Sequence, residues 1–94
     1  MTWALQLLPE AEDDFDSLPR REQDRILSQL HALRQDPHHP GTRHLFGNLK
    51  GCFRARAGSY RIGYCLDEAR HEIEVWAIGH RSKFYQVAER RMKG

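Results

Sequence analysis

Acidic residues are missing from the middle of this chain. The thirty residues from Pro37 to Leu66 contain no Asp or Glu, although the 94-residue chain holds 13 acids and 15 Lys or Arg. Met1 to Asp24 has the opposite bias, with seven acids against two basic residues. The formal net charge of +2 therefore hides a lopsided molecule. Such asymmetry predicts a polyanionic partner, such as a nucleic acid, on the basic side.

Long hydrophobic runs are also missing. No apolar stretch approaches the roughly 18 residues that a membrane-spanning helix needs. The amino terminus lacks the basic and then apolar segments of a secretory leader. We therefore expect a cytoplasmic protein without a membrane partner. A chain of this length predicts one compact domain over residues 1–94.

Cysteine is scarce, since only Cys52 and Cys65 occur. In a cytoplasmic protein these are expected to be free thiols, and spacing alone cannot pair them. His38, His39 and His44 add candidate metal ligands, but neither C-x-x-C nor H-x-x-x-H spacing is present. The sequence therefore predicts no metal site, and it implies no cofactor.

Hydrophobic periodicity and proline positions predict three helices. A short acidic helix lies between Pro9 and Pro19. A second helix is predicted from Arg20 to Gln35, where the following Asp-Pro step stops it. A last helix begins near Ser82, which is a candidate cap.

Alternating apolar and polar residues predict the strands. Thr2 to Leu8 forms an opening strand, and His44 to Leu49 is a candidate short strand. A meander follows over Phe53–Ala57, Tyr60–Leu66 and Glu72–Ile78. The predicted class is α+β: an antiparallel sheet of about four strands, packed by an N-terminal helical hairpin, with a short C-terminal helix.

The cations of the acid-free segment fall on alternating strand positions. Arg54 and Arg56 share one face of their strand, and Arg61 follows on the next. Guanidinium groups stay charged and present a planar fork of donors that matches phosphate. The pattern predicts a sheet with one apolar face and one face that binds phosphate groups.

Two segments resemble a known family. The stretch LKGCFRARAGSYRIGY, from Leu49 to Tyr64, and the stretch IGHRSKFY, from Ile78 to Tyr85, are similar to the RelE/ParE superfamily of bacterial toxins. The resemblance spans nearly the whole chain and includes the order of helices and strands. It implies a RelE/ParE-like fold and a toxin of a type II toxin-antitoxin system.

The superfamily has two branches with different targets. RelE-like members cut messenger RNA in the ribosomal decoding site, whereas ParE-like members act on DNA gyrase. The residues resemble the RelE branch, which implies a metal-independent, ribosome-dependent endoribonuclease that leaves a 2′,3′-cyclic phosphate and a 5′-hydroxyl. The resemblance assigns the catalytic roles to Arg54, Arg56, Arg61, Arg81 and Tyr85. Lys50, His80 and Lys83 are candidate RNA contacts.

The chain departs from the usual RelE pattern, which has lysines at the positions of Arg54 and Arg56. A lysine can be tuned by burial to exchange a proton, but arginine almost never deprotonates. Tyr85 and His80 remain as candidates for proton transfer. We favour Tyr85 as the member of the site and leave the general base open.

The resemblance also implies partners. These are the ribosome with its mRNA and a cognate antitoxin, whose acidic segment would cover the arginine face and through which the complex would bind its own operator DNA. Two alternatives stay open: a ParE-like inhibitor of DNA gyrase, and a catalytically inactive member that only binds its antitoxin.

Overall fold

The computed structural model describes residues 2–45 and 51–93. Its elements are β1 (Ala4–Leu7), α1 (Pro9–Asp16), α2 (Arg20–Gln35), β2 (Thr42–His44), β3 (Cys52–Ala57), β4 (Tyr60–Asp67), β5 (Glu72–His80) and α3 (Arg81–Lys93). The five strands form one sheet in the order β1-β5-β4-β3-β2. None of the helices in the described ranges is long and apolar enough to cross a bilayer.

The α+β class and the helical hairpin are confirmed, but the sheet differs in two respects. It has five strands rather than about four. It is also mixed, because β1 pairs in parallel with β5 while the other neighbours are antiparallel. The helical hairpin of α1 and α2 follows β1 in the chain. The strand that pairs with β1 is therefore a distant one, the last strand β5.

Proline residues set the helix boundaries. Pro9 ends the first strand and occupies the first turn of α1, where its missing N–H costs little. The predicted bounds of α2 are confirmed. Asp36 adopts an extended conformation after α2, as expected for the residue before Pro37. The short strand predicted from His44 to Leu49 is instead Thr42–His44, and the part of that prediction over 46–49 lies outside the described residues.

The sheet is covered on both faces. Against α1 and α2 it buries a large apolar cluster: Ala11, Ile26, Leu30, Leu33, Phe53, Ala55, Ala57, Ile62, Tyr64, Ile73, Val75 and Ile78. On the opposite face α3 packs with a smaller cluster: Leu45, Ala77, Phe84 and Ala88. The molecule therefore has three layers, with the helical hairpin on one side of the sheet and α3 on the other.

Tyr64 ties the sheet to the loop that follows α2. Its ring is fully buried, and its hydroxyl donates a hydrogen bond of 2.6 Å to the carbonyl oxygen of Pro37. Burial raises the pKa of the Tyr64 hydroxyl above its ordinary value. The folded protein therefore keeps Tyr64 protonated at pH values where the unfolded chain ionises.

Replacing Tyr64 with Phe is expected to lower the free energy of unfolding at pH 7 by about 1–2 kcal/mol, because the buried carbonyl of Pro37 loses its donor. In the wild type the unfolded chain loses the tyrosine proton above pH ~10, so stability falls there by about 1.4 kcal/mol per pH unit. Tyr64→Phe lacks this contribution. In urea unfolding from pH 7 to 11 the difference between the two proteins should shrink above pH ~10; a constant difference would contradict the argument.

Cys52 and Cys65 form a disulfide, which corrects the expectation of free thiols. The two residues lie directly opposite each other on β3 and β4. The adjacent pair is hydrogen-bonded, since the Leu66 N–H donates to the Gly51 oxygen at 2.8 Å. The cysteines thus occupy a non-hydrogen-bonded position, where opposite side chains approach most closely, and their Cα atoms are 4.0 Å apart. The sequence could not show this register.

Asp14 joins three elements at the exposed edge of β5. Its carboxylate receives two hydrogen bonds from Arg91 of α3, at 2.8 and 3.0 Å. It also accepts the N–H of Ile78 at 3.0 Å, and Arg91 donates to the oxygen of Trp76 at 3.0 Å. Both charged side chains are largely buried, and the hydrogen bonds that Arg91 donates to Asp14 raise the pKa of Arg91. The pair thus provides hydrogen-bond partners for the Ile78 N–H and the Trp76 oxygen, which lie on β5 beyond the end of β1.

Candidate nucleic-acid interface

The central strands turn their arginines away from the helical hairpin. Phe53, Ala55 and Ala57 of β3 are buried against α1 and α2. Because side chains alternate along a strand, Arg54 and Arg56 lie on the opposite face. That is the face on which α3 packs.

The sheet register places four arginines in two facing pairs. Arg56 of β3 lies directly opposite Arg61 of β4. Arg54 lies directly opposite Arg43 of β2. Opposite residues in an antiparallel pair have Cβ atoms about 5 Å apart. We call these four residues, Arg43, Arg54, Arg56 and Arg61, the basic face.

The basic face has no acidic partner in the described parts of the chain. Ion pairs there join Arg20 to Asp24, Arg70 to Asp67 and Arg91 to Asp14. Like charges directly opposite each other destabilise a sheet. Two such pairs without a neutralising carboxylate are therefore not explained by stability. They form a surface whose electrostatic complement is an anion.

The β3–β4 turn positions Arg61 at one end of the basic face. Gly58 has a φ of 64°, in the left-handed region that favours glycine. A Cβ atom there would also collide with the side chain of Arg25 from α2. One Nη atom of Arg61 donates to the oxygens of Gly58 and Tyr60, at 3.1 and 3.0 Å. The turn thus holds Arg61 in place and leaves its other donors for a ligand.

Two glycines lie in the sheet directly opposite arginines of the basic face. Gly63 lies opposite Arg54, and a Cβ atom on it would approach Cζ of Phe84 to 3.1 Å. Gly79 lies opposite Arg61, and no described atom comes within 4 Å of the position its Cβ would take. The first glycine lets α3 pack tightly onto the sheet. The second leaves open space next to Arg61.

The start of α3 adds two predicted site residues to this region. The N–H of Arg81 donates to the Ser59 oxygen at 2.8 Å, which fixes the start of the helix beside the β3–β4 turn. Arg81 and Tyr85 are four residues apart and so share one side of α3. Tyr85 is 39% exposed and packs edge-on against Phe84. Its phenol is therefore accessible to a ligand.

The structure separates His80 from the basic face. His80 pairs with Tyr60, which packs against the core under the helical hairpin, and the two rings meet edge to face at 5.5 Å. The Nδ1 atom of His80 accepts the N–H of Ser82 at 3.1 Å. His80 thus caps α3, and this corrects the expectation that Ser82 is the cap. The side chain is placed to hold the helix start.

The two predicted lysine contacts fall in different places. Lys83 is exposed in the first turn of α3. Together with Gly79 and Phe84 it lines a cavity of about 310 Å³ between β5 and α3. Lys50 lies outside the described residues.

Arg43 belongs to the basic face although it was not among the predicted site residues. The sequence predicted a strand that begins at His44, so Arg43 fell in the preceding loop. In the structure β2 begins at Thr42, which is buried. A usable signal was present, because Arg43 lies within the acid-free segment and two residues before the buried Leu45.

The arrangement can bind and stabilise negative charge. Several guanidinium groups lie on one side of the sheet, and Arg56 and Arg61 face each other beside the open space at Gly79. Fixed guanidinium donors stabilise a phosphate on which charge develops. Arginine does not release protons readily. Tyr85 and Lys83, which both lie on α3, are the predicted site residues on this side of the sheet with a proton to exchange.

Comparison with known proteins connects this geometry to toxins. A family model described as the ParE toxin of the type II toxin-antitoxin system parDE matches residues 5–85. Toxin RelE from Mycobacterium tuberculosis is 36% identical over 55 residues, which cover 58% of this chain and 56% of that protein. The chain thus matches little more than half the length of that relative.

Solved toxin structures share the fold. The RelBE2 toxin-antitoxin complex from Mycobacterium tuberculosis superposes with a TM-score of 0.77 at 23% identity, covering 85% of this chain and 99% of the other. The RelE-RelB complex from Pyrococcus horikoshii gives 0.75 at 20% identity, covering 88% and 99%. A mutant of E. coli RelE in the free state gives 0.76 at 18% identity, covering 97% and 98%. Because the family model spans most of the sequence, the chain belongs to the ParE toxin family of type II toxin-antitoxin systems, within the RelE/ParE superfamily.

Proposed function

We propose that this toxin is a ribosome-dependent endoribonuclease that cleaves mRNA without a metal ion and thereby inhibits translation. The observation that carries the proposal is the direct facing of Arg56 and Arg61, with no carboxylate paired to either in the described residues. A ligand with clustered negative charge would offset the repulsion between the two guanidinium groups. RNA supplies such charge at every phosphate.

The proposed reaction is an attack of the ribose 2′-oxygen on the adjacent phosphorus. The O2′–P bond forms, the bond from phosphorus to the 5′-oxygen breaks, and the products are a 2′,3′-cyclic phosphate and a 5′-hydroxyl. One proton leaves the 2′-hydroxyl and one is delivered to the 5′-oxygen. The chain therefore has to stabilise charge on the phosphate and to help move two protons.

Arginines are assigned the charge stabilisation. Arg56 and Arg61 would grip the non-bridging oxygens from opposite strands, and Arg81 would approach from the start of α3. Arg54 is assigned to the same surface, one strand position further along. The backbone of each arginine is part of a strand or helix, and the Arg61 guanidinium is also held by its bonds to Gly58 and Tyr60, which limits the reorganisation needed when the transition state forms.

Tyr85 is assigned to the reacting nucleotide. As a half-exposed phenol one helical turn from Arg81, it can stack on a base or exchange a proton with the ribose. The packing of His80 against Tyr60 argues against a role for that imidazole in the reaction. We therefore favour Tyr85 over His80 as the member of the site, and the identity of the general base stays open.

The proposed partner is a cognate antitoxin that binds over the basic face. Two solved structures that share this fold, RelBE2 from Mycobacterium tuberculosis and RelBE from E. coli, are toxin-antitoxin complexes. An acidic segment would complement the arginines and restrain RNA binding at the same time. The antitoxin would also link the complex to operator DNA.

Inhibition of DNA gyrase is the second candidate function. It is favoured by the ParE description of the family model that matches residues 5–85. In that case the basic face would bind without performing chemistry. The relative named Toxin RelE favours the ribonuclease instead.

Mapping of message ends tests the proposal. Purified protein is added to a cell-free translation reaction, and mRNA 5′ ends are located by primer extension. We expect cuts within codons that require ribosomes and disappear with Arg81→Ala, because this variant removes one of the charges at the cleaved phosphate. Arg70→Ala removes an exposed arginine from the β4–β5 turn and should cut normally.

Intact messages and continued translation would overturn the ribonuclease proposal. A supercoiling assay then decides the second candidate, because a gyrase inhibitor would block supercoiling in the same preparation. Cuts that persist in Arg81→Ala would show that the α3 arginine has no part in the reaction.

A further inference from the structure

A small pocket lies at the β2 edge of the basic face, on the side of Arg56 that faces away from Arg61. It has a volume of about 100 Å³ and is lined by Pro40, Gly41, Arg43, Arg54 and Arg56. Three of its five lining residues carry a guanidinium group. No carboxylate lines it.

Arg43 is held in a fixed position at this pocket. One of its Nη atoms donates to the Thr42 oxygen at 2.9 Å and to the Pro40 oxygen at 3.3 Å. Thr42 is itself buried and donates its hydroxyl to the His39 oxygen at 2.8 Å. These bonds occupy one nitrogen of Arg43 and orient the group, while the other two nitrogens remain available to an anion.

The Gly41 backbone also belongs to the sheet here. Its oxygen accepts the N–H of Arg56 at 3.4 Å. This bond connects the loop before β2 to β3. The pocket is built on regular structure, and its two facing cations, Arg43 and Arg54, are set by the strand register.

The centres of the two facing pairs, Arg43–Arg54 and Arg56–Arg61, lie too far apart for one phosphate to sit between the members of both. The two facing pairs are offset by two residues along the strand and by one strand across the sheet. With strand spacings of about 4.8 Å and a rise of about 3.3 Å per residue, their centres are about 8 Å apart. Two separate anionic groups are required to satisfy both pairs.

We propose that Arg43 and Arg54 form a second phosphate subsite, which binds a backbone phosphate of single-stranded RNA next to the phosphate that is cleaved. This inference rests on the proposed ribonuclease function. Arg43 is then a positioning residue that sets the register of the RNA on the sheet, and Arg56 contacts both phosphates. The subsite extends the RNA path from α3 across the sheet to β2.

Substitution of Arg43 tests the subsite. Binding of a single-stranded RNA with 2′-O-methyl riboses, which cannot be cleaved, is measured at several salt concentrations. Arg43→Gln is expected to weaken binding about tenfold and to reduce the slope of log affinity against log salt by about 0.7, the value for one lost contact. Arg70→Gln, which removes the same charge from the far end of β4, should match the wild type.

Cleavage kinetics separate positioning from chemistry. With ribosomes programmed by a short message, Arg43→Gln should raise KM about tenfold and change kcat less than twofold, because the cleaved phosphate keeps Arg56 and Arg61. A merely structural role would lower the melting temperature instead. Arg43→Lys keeps the charge and should recover part of the affinity.

Each outcome decides the inference. Wild-type affinity and salt slope in Arg43→Gln, with weaker binding by Arg56→Gln, would overturn the subsite and leave the ribonuclease proposal standing. If the wild type neither binds nor cuts RNA, the ribonuclease proposal fails. Inorganic phosphate is then titrated while arginine Nε–Hε resonances are followed by NMR. Shifts of the Arg43 and Arg54 resonances would show that these two residues form an anion site. The absence of such shifts would show that they do not.

Discussion

Arg61→Ala is expected to lower the rate of RNA cleavage by about 10²- to 10³-fold, the usual effect of removing one fixed donor from a developing anion. Arg61 lies opposite Arg56 and next to Gly79, whose absent side chain leaves open space beside it. Its hydrogen bonds run to the backbone oxygens of Gly58 and Tyr60. Its loss therefore removes charge from the site with a small effect on the fold.

Single-turnover cleavage of a ribosome-bound message measures this effect, with thermal unfolding followed in parallel. The matched variant is Arg61→Lys, which keeps the positive charge but loses the planar fork of donors. We expect its rate to lie between those of the wild type and Arg61→Ala. Cleavage at the wild-type rate by folded Arg61→Ala would show that the facing pair does not hold the reacting phosphate.

The facing of Arg56 and Arg61 adds a second expectation to the same measurement. Two guanidinium groups that grip one phosphate act as a unit, so the double alanine variant should be little slower than the worse single variant. Stability should respond in the opposite sense. Removing either arginine relieves the repulsion between directly opposite like charges, so unfolding should occur at an equal or slightly higher temperature.

Local sequence signals were enough to predict the helices and the strands of the meander. The bounds of α2 follow from its apolar stripe and from the Asp36-Pro37 step. Both signals are local, and no tertiary contact overrides them. The alternation in β3 placed Arg54 and Arg56 on one face, and their common face is confirmed by the burial of Ala55 between them. These features depend on neighbours in sequence.

Features that depend on strand register were not predictable in the same way. Periodicity does not say which strand β1 joins or in which direction, and the parallel pairing with β5 connects residues about seventy positions apart. The Cys52–Cys65 disulfide and the pairing of Arg43 with Arg54 both follow from register. Compartment chemistry argued for free thiols, but direct opposition on adjacent strands brings the two sulfur atoms together.

His80 shows how a chemically suitable residue can have a structural role. Its imidazole is the easiest proton carrier near the end of β5 in the sequence. The last strand, however, continues through His80 and turns it towards Tyr60, on the opposite side from Arg61. The bond from Ser82 to its Nδ1 atom then caps α3.

Asp14→Asn is expected to lower the free energy of unfolding by about 3 kcal/mol, because it leaves the guanidinium of Arg91 largely buried without its charge partner. The side chains of Arg91 and Asp14 are only 26% and 19% exposed. The acceptor of the Ile78 N–H is weakened as well. Urea unfolding measures the loss, and Asp13→Asn, on the exposed side of α1, should change stability by less than about 0.5 kcal/mol.

Asp14→Asn should also affect the candidate site, because α3 carries both Arg91 and two predicted site residues. Arg91 anchors the later part of that helix to the edge of β5, while Arg81 and Tyr85 lie in its first turns. Loosening of the anchor should lower cleavage severalfold at temperatures where Asp14→Asn is still folded. Arg91→Met removes the buried charge that Asp14→Asn leaves without a partner. The double variant Asp14→Asn/Arg91→Met should therefore be more stable than Asp14→Asn alone. Additive losses in the double variant would show that the two side chains do not stabilise α3 as a pair.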